Sequence, residues 1–399
     1  MRTKKLLSVQ PVAERGGSDH ALLRLCRQLV ADGWQPHIVF PAEPPLSAEF
    51  AAAGATLHQV PMRRVTRSGG AGYWLSYTAA WPISVLRIWA LGRRLRPDVV
   101  HSNSLHCWYA WPAAALLRVP HIWHAREIVV QSRLALGLER QLTKHFAWRI
   151  VAVSSAVARQ FEGGKVVVAH DTLGPEDGFS PARAGNFRAR VGISDQAVLV
   201  GAAGRLDTWK GFDVLLEAFP RIRRERPDVE LVIAGGPVPG KEHYAAELEA
   251  KAGATEGAHW LGEREDMAEL MADLDLFVLP STEPEPFASS ALEALASGAP
   301  LAATAHGGSP EMLSGTPQGT GLLFPPRDAG ALAQAVLELL PREASSAAGR
   351  RERRAVLVGD PRKLLALFNE AFELGASRTP RRRPGEQAGQ VPEAGRQVR

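Results

Sequence analysis

Short apolar runs alternate with stretches of helical periodicity along this chain, and the alternation occurs as two separate series. The first places strands at 6–9, 37–40, 56–60, 98–101, 121–124, 149–153 and 165–169. Helices lie between them, for example at 19–31, 48–53, 105–117 and 155–161. The second places strands at 197–203, 229–234, 258–261, 276–279 and 300–303, with helices at 212–226, 244–252, 266–272, 288–296 and 329–340. Strands that alternate with helices must run parallel and be covered on both faces. The expected fold is therefore α/β, with two doubly wound, Rossmann-like domains facing across a cleft. Sheets of this kind bind ligands at the carboxyl ends of their strands.

At 399 residues the chain exceeds one ordinary core. Residues 1–172 read as the front domain, 173–195 as a linker rich in Gly, Pro and charge, and 196–359 as the back domain. A helix is expected after Asp360-Pro361, and 377–399, with three consecutive arginines at 381–383 and few apolar residues, reads as a disordered basic tail. Two cysteines, Cys26 and Cys107, are too few for a disulfide framework and favour a reducing compartment. The apolar run near Met1 is too short for a signal peptide, and no uncharged apolar stretch reaches about 18 residues. A cytoplasmic protein is expected, at most peripheral at the inner face of the membrane.

The net charge of +5 conceals a division: +12 over residues 1–170, −11 over 171–376 and +4 over 377–399. A basic front half suggests an anionic partner, a phospholipid surface or a lipid-phosphate acceptor, although scattered solvated charge gives the same numbers. No nucleic-acid partner is expected.

The richest segment runs from Glu283 to Glu311. Glu285 stands before a helix start and Glu293 lies on that helix. Pro286 and Phe287 lead the chain in, so that Ala288, Ser289 and Ser290 can offer unpaired amides. Eight helical steps span about 12 Å, a suitable separation for carboxylates at the hexose and ribose ends of a nucleotide sugar. Gly307-Gly308 would let backbone approach a ligand, or would form a plain turn before Ser309-Pro310. Upstream, Arg205 and Lys210 follow a strand and precede a helix. A guanidinium fork and an ammonium there would stabilise a departing diphosphate.

In the front half, Gly16-Gly17 lies between strand and helix, a turn that suits close approach to a phosphate or an acceptor. The G-x-G-x-x-G fingerprint is absent, which disfavours a nicotinamide site. His124 ends a strand, where it could bond a sugar hydroxyl. His121 and His124 should face opposite sides of the sheet, so a shared metal is not expected. Residues 73–96 interleave tryptophans with arginines. That pattern fits either a membrane-interface helix or a helix packed on its own sheet, with Pro82 breaking its middle.

These residues together resemble the retaining GT-B glycosyltransferases of family 4, the group 1 glycosyltransferases. The likeness rests on Gly-Arg-Leu…Lys-Gly at 204–211, on the acid pair within Glu-Pro-Phe…Leu-Glu-Ala-Leu-Ala-Ser-Gly, and on Gly-Gly-x-x-Glu at 307–311. It is specific over 197–340 and looser over 1–170. It implies a hexosyltransferase that needs no metal and no cofactor, with a UDP- or GDP-sugar donor and a glycan, lipid-linked or small-molecule acceptor. Arg205 and Lys210 would hold the diphosphate, Glu285 the transferring sugar and Glu293 the ribose. His124 would be the active-site histidine, and Gly17 would lie near the phosphates. Phe287, Ala288, Ser289, Gly307 and Gly308 would complete the donor site. The resemblance also implies that the final helix, 360–375, packs back on the front domain. Two departures stand out: Ala288 where the family commonly has Gly, and Thr172-Leu173-Gly174 where it has Asn-Gly. An epimerase on the same scaffold, or a non-catalytic nucleotide-sugar binder, are the alternatives.

Overall fold

The computed structural model describes residues 3–14, 16–65, 70–130, 132–341 and 345–378. The front lobe runs β1 (Lys4–Val9), α1 (Gly17–Ala31), β2 (Trp34–Phe40), α2 (Ser47–Ala52), β3 (Thr56–Gln59), α3 (Ala71–Leu95), β4 (Val99–Ser102), α4 (Ala110–Leu117), β5 (His121–Ala125), α5 (Arg133–Phe146), β6 (Arg149–Ala152), α6 (Ser155–Ala158) and β7 (Val166–Val168). A short helix, α7 (Phe187–Arg190), leads into the back lobe. There follow β8 (Val198–Ala203), α8 (Phe212–Glu225), β9 (Val229–Ala234), α9 (Glu242–Gly253), β10 (Ala258–Gly262), α10 (Met267–Asp273), β11 (Leu276–Leu279), α11 (Ser289–Ala296), β12 (Leu301–Thr304), α12 (Ser309–Leu313), β13 (Gly321–Phe324), α13 (Ala329–Leu339) and α14 (Ala347–Arg351). The last helix, α15 (Pro361–Arg378), returns to the front lobe.

The front sheet has strand order β3-β2-β1-β4-β5-β6-β7 and the back sheet β10-β9-β8-β11-β12-β13. Every pairing is parallel, as two-sided burial of such apolar strands requires. Both orders reverse once, between β1 and β4 and between β8 and β11. At such switch points neighbouring connections leave in opposite directions and open a crevice. The loop after β1 leads into α1 at Gly17, and the loops after β8 and β11 carry Arg205 with Lys210, and Glu285.

Three local features differ from the sequence reading. Helix α3 passes through Pro82 without breaking; Pro82 and the preceding turn at Thr78 are exposed, so the carbonyl it frees can turn to water. The stretch 173–195 is more than a spacer. Phe187 and Arg188 are fully buried, and Arg188 pairs with Asp275 at 2.6 Å while Asp273 accepts from the amides of Gly185 (2.7 Å) and Phe187 (3.0 Å). Arg350, also buried, bonds Asp273 at 3.2 Å and so ties α14 into the same cluster. Strand β13 and helix α5 have no counterpart in the periodicity given above.

Helix α15 lays Leu364, Leu367, Phe368 and Ala371 into the core of the front lobe. Phe368 meets Trp34 edge-on at 6.1 Å, and Asn369 bonds Lys4 (2.9 Å), Trp34 (3.2 Å) and Asp32 (3.0 Å). The helix extends two residues into the segment read as tail; residues 379–399 lie outside the described residues.

Candidate functional site

The loop after β8 is pressed against the loop after β11. Gly211 has φ +71, and a Cβ there would stand 2.0 Å from the carbonyl oxygen of Pro280, so only glycine fits. Thr282 donates its amide to the Trp209 carbonyl at 2.7 Å. This contact carries Lys210 to Glu285, with which it forms an ion pair. Ser281 donates to the same carboxylate oxygen at 2.8 Å, and the Trp209 ring centroid lies 4.3 Å from the Lys210 ammonium. Glu285 is only 4% exposed. A buried carboxylate so held has fixed direction and a matched cation.

The turn at 307–308 braces that acid. Gly307 has φ +62, and a Cβ on it would lie 2.1 Å from the Glu285 carbonyl oxygen; the Gly308 amide donates to that oxygen at 2.8 Å. The close approach expected of these glycines is thus to protein backbone rather than to open cleft. Phe287 is likewise occupied, stacked on His170 at 4.7 Å and 8°, and Ala288 is buried in the core.

Helix α11 begins at Ser289, capped by Ala288 with no side-chain hydrogen bond. Helix α1 begins at Gly17, behind Gly16, also with no side-chain cap. The two helix starts meet across the cleft: a Cβ on Gly17 would stand 3.0 Å from Ser289 Oγ. Each start carries free amides and about half a positive charge. Arg205 reaches over the same gap to Glu14, 3.7 Å away, and Glu14 also holds Arg64 at 3.3 Å.

One helical turn beyond Ser289, Glu293 is partly buried, and its carboxylate takes no hydrogen bond from a described residue. Burial, with a smaller push from Asp177, raises its carboxyl to about 7, while Arg24 of α1 acts to lower it. Arg24 is 4% exposed, and its Nε and Nη2 have no partner among the described residues. Arg24 follows Gly17 by seven residues, so both lie on one face of α1. A sequence reader could have used that spacing.

Beneath the Gly16-Gly17 turn lies a buried polar network. Asn103 donates to Gln10 (3.0 Å) and accepts from Arg126 (2.9 Å), which pairs with Asp171 (2.6 Å). Burial raises Asp19 to about 6, against hydrogen bonds from Gln10 and the Glu14 amide. His124 stands at the end of β5 and is fully buried. Its Nδ1 turns to His101 (3.4 Å) and Arg126 (3.5 Å), and its Nε2 has no hydrogen-bond partner among the described residues. Burial, then Arg126 and His101, hold it well below the usual imidazole range, so it is neutral. His121 faces the other side, bonded to Ser102 at 2.9 Å.

The lobes touch at a second place. Glu311 of α12 accepts from the amides of Ser155 (2.8 Å) and Ala156 (3.1 Å), at the start of α6, and bonds His170 at 3.1 Å. Burial pushes its carboxyl up, but these bonds outweigh it and hold the group below its ordinary value. No group of three or more His, Cys, Asp or Glu side chains that could hold a metal comes together among the described residues.

Two doubly wound lobes with a cation-lined gap at facing switch points are the GT-B glycosyltransferase architecture. Residues 15–170 match the family described as Glycosyltransferase Family 4, and residues 197–342 that described as Glycosyl transferases group 1. The glycogen synthase of Mycobacterium tuberculosis (strain H37Rv) is 33% identical over 296 residues, covering 69% of this chain and 68% of that protein. The D-inositol 3-phosphate glycosyltransferase of Stackebrandtia nassauensis is 29% identical over 413 aligned positions, 93% of this chain and 90% of its own. The crystal structure of Anabaena Alr3699/HepE in complex with UDP and glucose shares the fold, with a TM-score of 0.73 at 21% identity over 94% of this chain and 100% of that one. The chain belongs to the group 1 glycosyltransferases and is an enzyme of that class.

Proposed function

We propose that the enzyme transfers a hexose from a UDP- or GDP-sugar to a glycan, lipid-linked or small-molecule acceptor, with retention at the anomeric carbon, as a member of family 4. The observation that carries this reading is the meeting of two uncapped helix starts from opposite lobes, flanked by Arg205 and Lys210. Two positive helix ends repel unless an anion lies between them. A nucleoside diphosphate is such an anion, and its charge grows as the sugar bond breaks. Arg205 and Lys210 then stabilise the leaving group without requiring a metal. Glu285, oriented by Lys210 and Ser281, faces the sugar and steadies the positive anomeric carbon. Ionised Glu293 accepts from the ribose hydroxyls. Ser289 and its neighbours supply amides, and Gly17 admits the phosphates. Arg126 supports the front wall beneath that turn, whereas His124 enters the reading only through its contact with Arg126.

The reading is tested by measuring nucleotide-sugar binding by thermal shift, together with product formation, for wild type, Lys210→Ala and Arg205→Ala. Ligand bound only to the folded state raises its melting temperature. Lys210→Ala should abolish turnover and weaken UDP as well as UDP-sugar binding. Turnover at the wild-type level in both variants would refute the assignment. Consumption of donor to an epimer without acceptor would identify an epimerase, and tight donor binding without transfer or hydrolysis a non-catalytic binder. NMR of the product's anomeric proton reads retention directly, and full activity in EDTA is expected.

A further inference from the structure

The front lobe leaves a broad apolar surface open to water. Helix α3 is 25 residues long and contains no Asp or Glu. It buries Tyr77, Val85, Ile88 and Leu91 against the sheet, yet its opposite face is also apolar: Leu75 is 73% exposed, Ile83 54% and Leu86 55%. A helix on the surface of a water-soluble lobe ordinarily turns a polar face outward, and one apolar on both sides has a second apolar partner. Helices α4 and α5 extend the patch. Trp81 meets Trp111 at 6.4 Å, and Trp111 stacks on Phe146 at 4.0 Å. Leu134 of α5 is 89% exposed. Of the 11 exposed large hydrophobic side chains among the described residues, 8 lie between Leu75 and Phe146.

The charge on this face has one sign. Arg87, Arg93 and Arg94 on α3, and Arg133 and Lys144 on α5, are exposed and form no ion pair among the described residues. Arg93 lies over the Trp89 ring, 5.2 Å from its centroid. The one carboxylate of α5, Glu139, is fully buried and bound to His106 at 2.6 Å. Exposed leucines with a tryptophan flank and unpaired arginines match the interface of an anionic bilayer. A second copy fits poorly, because a two-fold contact would bring these cations face to face. No described helix is long and apolar enough to cross a membrane, so the contact would be with the surface.

We propose that α3 and α5 dock the enzyme flat on an anionic phospholipid surface. Helix α3 starts at the carboxyl-end rim of the front sheet, so docking brings the mouth of the cleft to the lipid. That favours a lipid-borne acceptor, a choice that rests on the transfer reading above, whereas the docking itself does not.

Flotation of the full chain with phosphatidylcholine vesicles, with and without phosphatidylglycerol, tests this. Binding should require phosphatidylglycerol and weaken as salt rises. Each cation near such a surface contributes about fivefold in partitioning, so Arg93→Gln with Arg94→Gln should lower it about 25-fold. The triple variant Leu75→Ser, Ile83→Ser, Leu86→Ser should also release the protein. Both variants should keep the wild-type circular dichroism spectrum and nucleotide-sugar thermal shift, because none of these residues lies in the donor site. Three results would each overturn the proposal: no phosphatidylglycerol-dependent binding at low salt, variants that bind like wild type, or a wild-type dimer that the serine variant dissolves. Vesicle binding without any nucleotide-sugar shift would refute the transfer reading and leave the docking standing.

Discussion

Glutamine at position 293 separates the cost of holding a carboxylate in the cleft from its use. Burial penalises the charge of Glu293 and pushes its carboxyl up to about 7 in the folded protein. Between its ordinary value and pH 7 the folded chain keeps a proton that the unfolded chain has released. Stability therefore falls as pH rises through that window, and the full penalty is present above pH 7. The shift corresponds to about 3 kcal/mol. Water reaches one side of this partly exposed group, which brings the expected cost to about 2 kcal/mol. Glu293→Gln removes the charge at nearly constant shape. In a lobe of this size it should raise the melting temperature by about 4–8 °C at pH 8 and by little at pH 5. The same change loses a charged acceptor for the ribose, worth roughly 1.5–3 kcal/mol, so UDP-sugar affinity should fall roughly 10- to 100-fold. Thermal unfolding at both pH values, with and without nucleotide sugar, reads the two effects on one instrument. An equal gain at pH 5 and pH 8, or none at pH 8, would refute the reasoning about desolvation. Undiminished donor binding would refute the ribose role.

Arg24→Met removes a cation that lowers Glu293, so the midpoint of the pH dependence of donor binding should move upward; an unchanged midpoint would show that Arg24 does not act on this acid. Asp273→Ala takes the carboxylate partner from the buried Arg350 and the acceptor from the Gly185 and Phe187 amides, and should cost about 3–5 kcal/mol by denaturant unfolding, with α7 and α14 losing amide protection first. Gly307→Ala drives a methyl group into the Glu285 backbone and should lower kcat more than it lowers overall stability; normal kcat would show that the brace is dispensable. Glu311→Gln weakens the contact between α12 and α6 and should increase the radius of gyration by small-angle scattering. In wild type that contact is complete above the ordinary carboxylate range and is lost as pH falls through the lowered value, so the wild-type protein should open on acidification.

Much of the fold was legible because parallel strands buried on both faces read as apolar runs. Val198–Ala203 and Leu276–Leu279 are fully buried and were unmistakable. Strand β13 escaped because it is four residues long and only Phe324 is buried. The composition of 173–195 suggested a spacer because Gly, Pro and charge mark loops, but charge also marks a buried ion cluster when arginine finds two aspartates. In the site, the acid and cation positions were visible as local motifs. The pairing of Lys210 with Glu285 spans 75 residues, and that of Arg205 with Glu14 spans the whole cleft. Such contacts depend on how loops and lobes meet, and no local pattern encodes them. The burial of His124 was hidden for the same reason: a strand-end histidine looks alike whether it faces the cleft or a neighbouring strand.

Each of the two cations proposed to hold the diphosphate is matched to a carboxylate of the protein itself. Arg205 and Glu14 are both substantially exposed and 3.7 Å apart, a pair worth roughly 0–1 kcal/mol. Lys210 and Glu285 are largely buried and are not so cheaply separated. On the proposed reading an arriving diphosphate would therefore take Arg205 from Glu14 at little cost. Lys210 can share its charge between phosphate and Glu285 without leaving either. On the proposed reading the exposed pair would work as a replaceable latch between the lobes, and the buried pair as a fixed reference that keeps Glu285 oriented while the leaving group gains charge. This division would account for the different surroundings of two cations that only four residues separate in the chain.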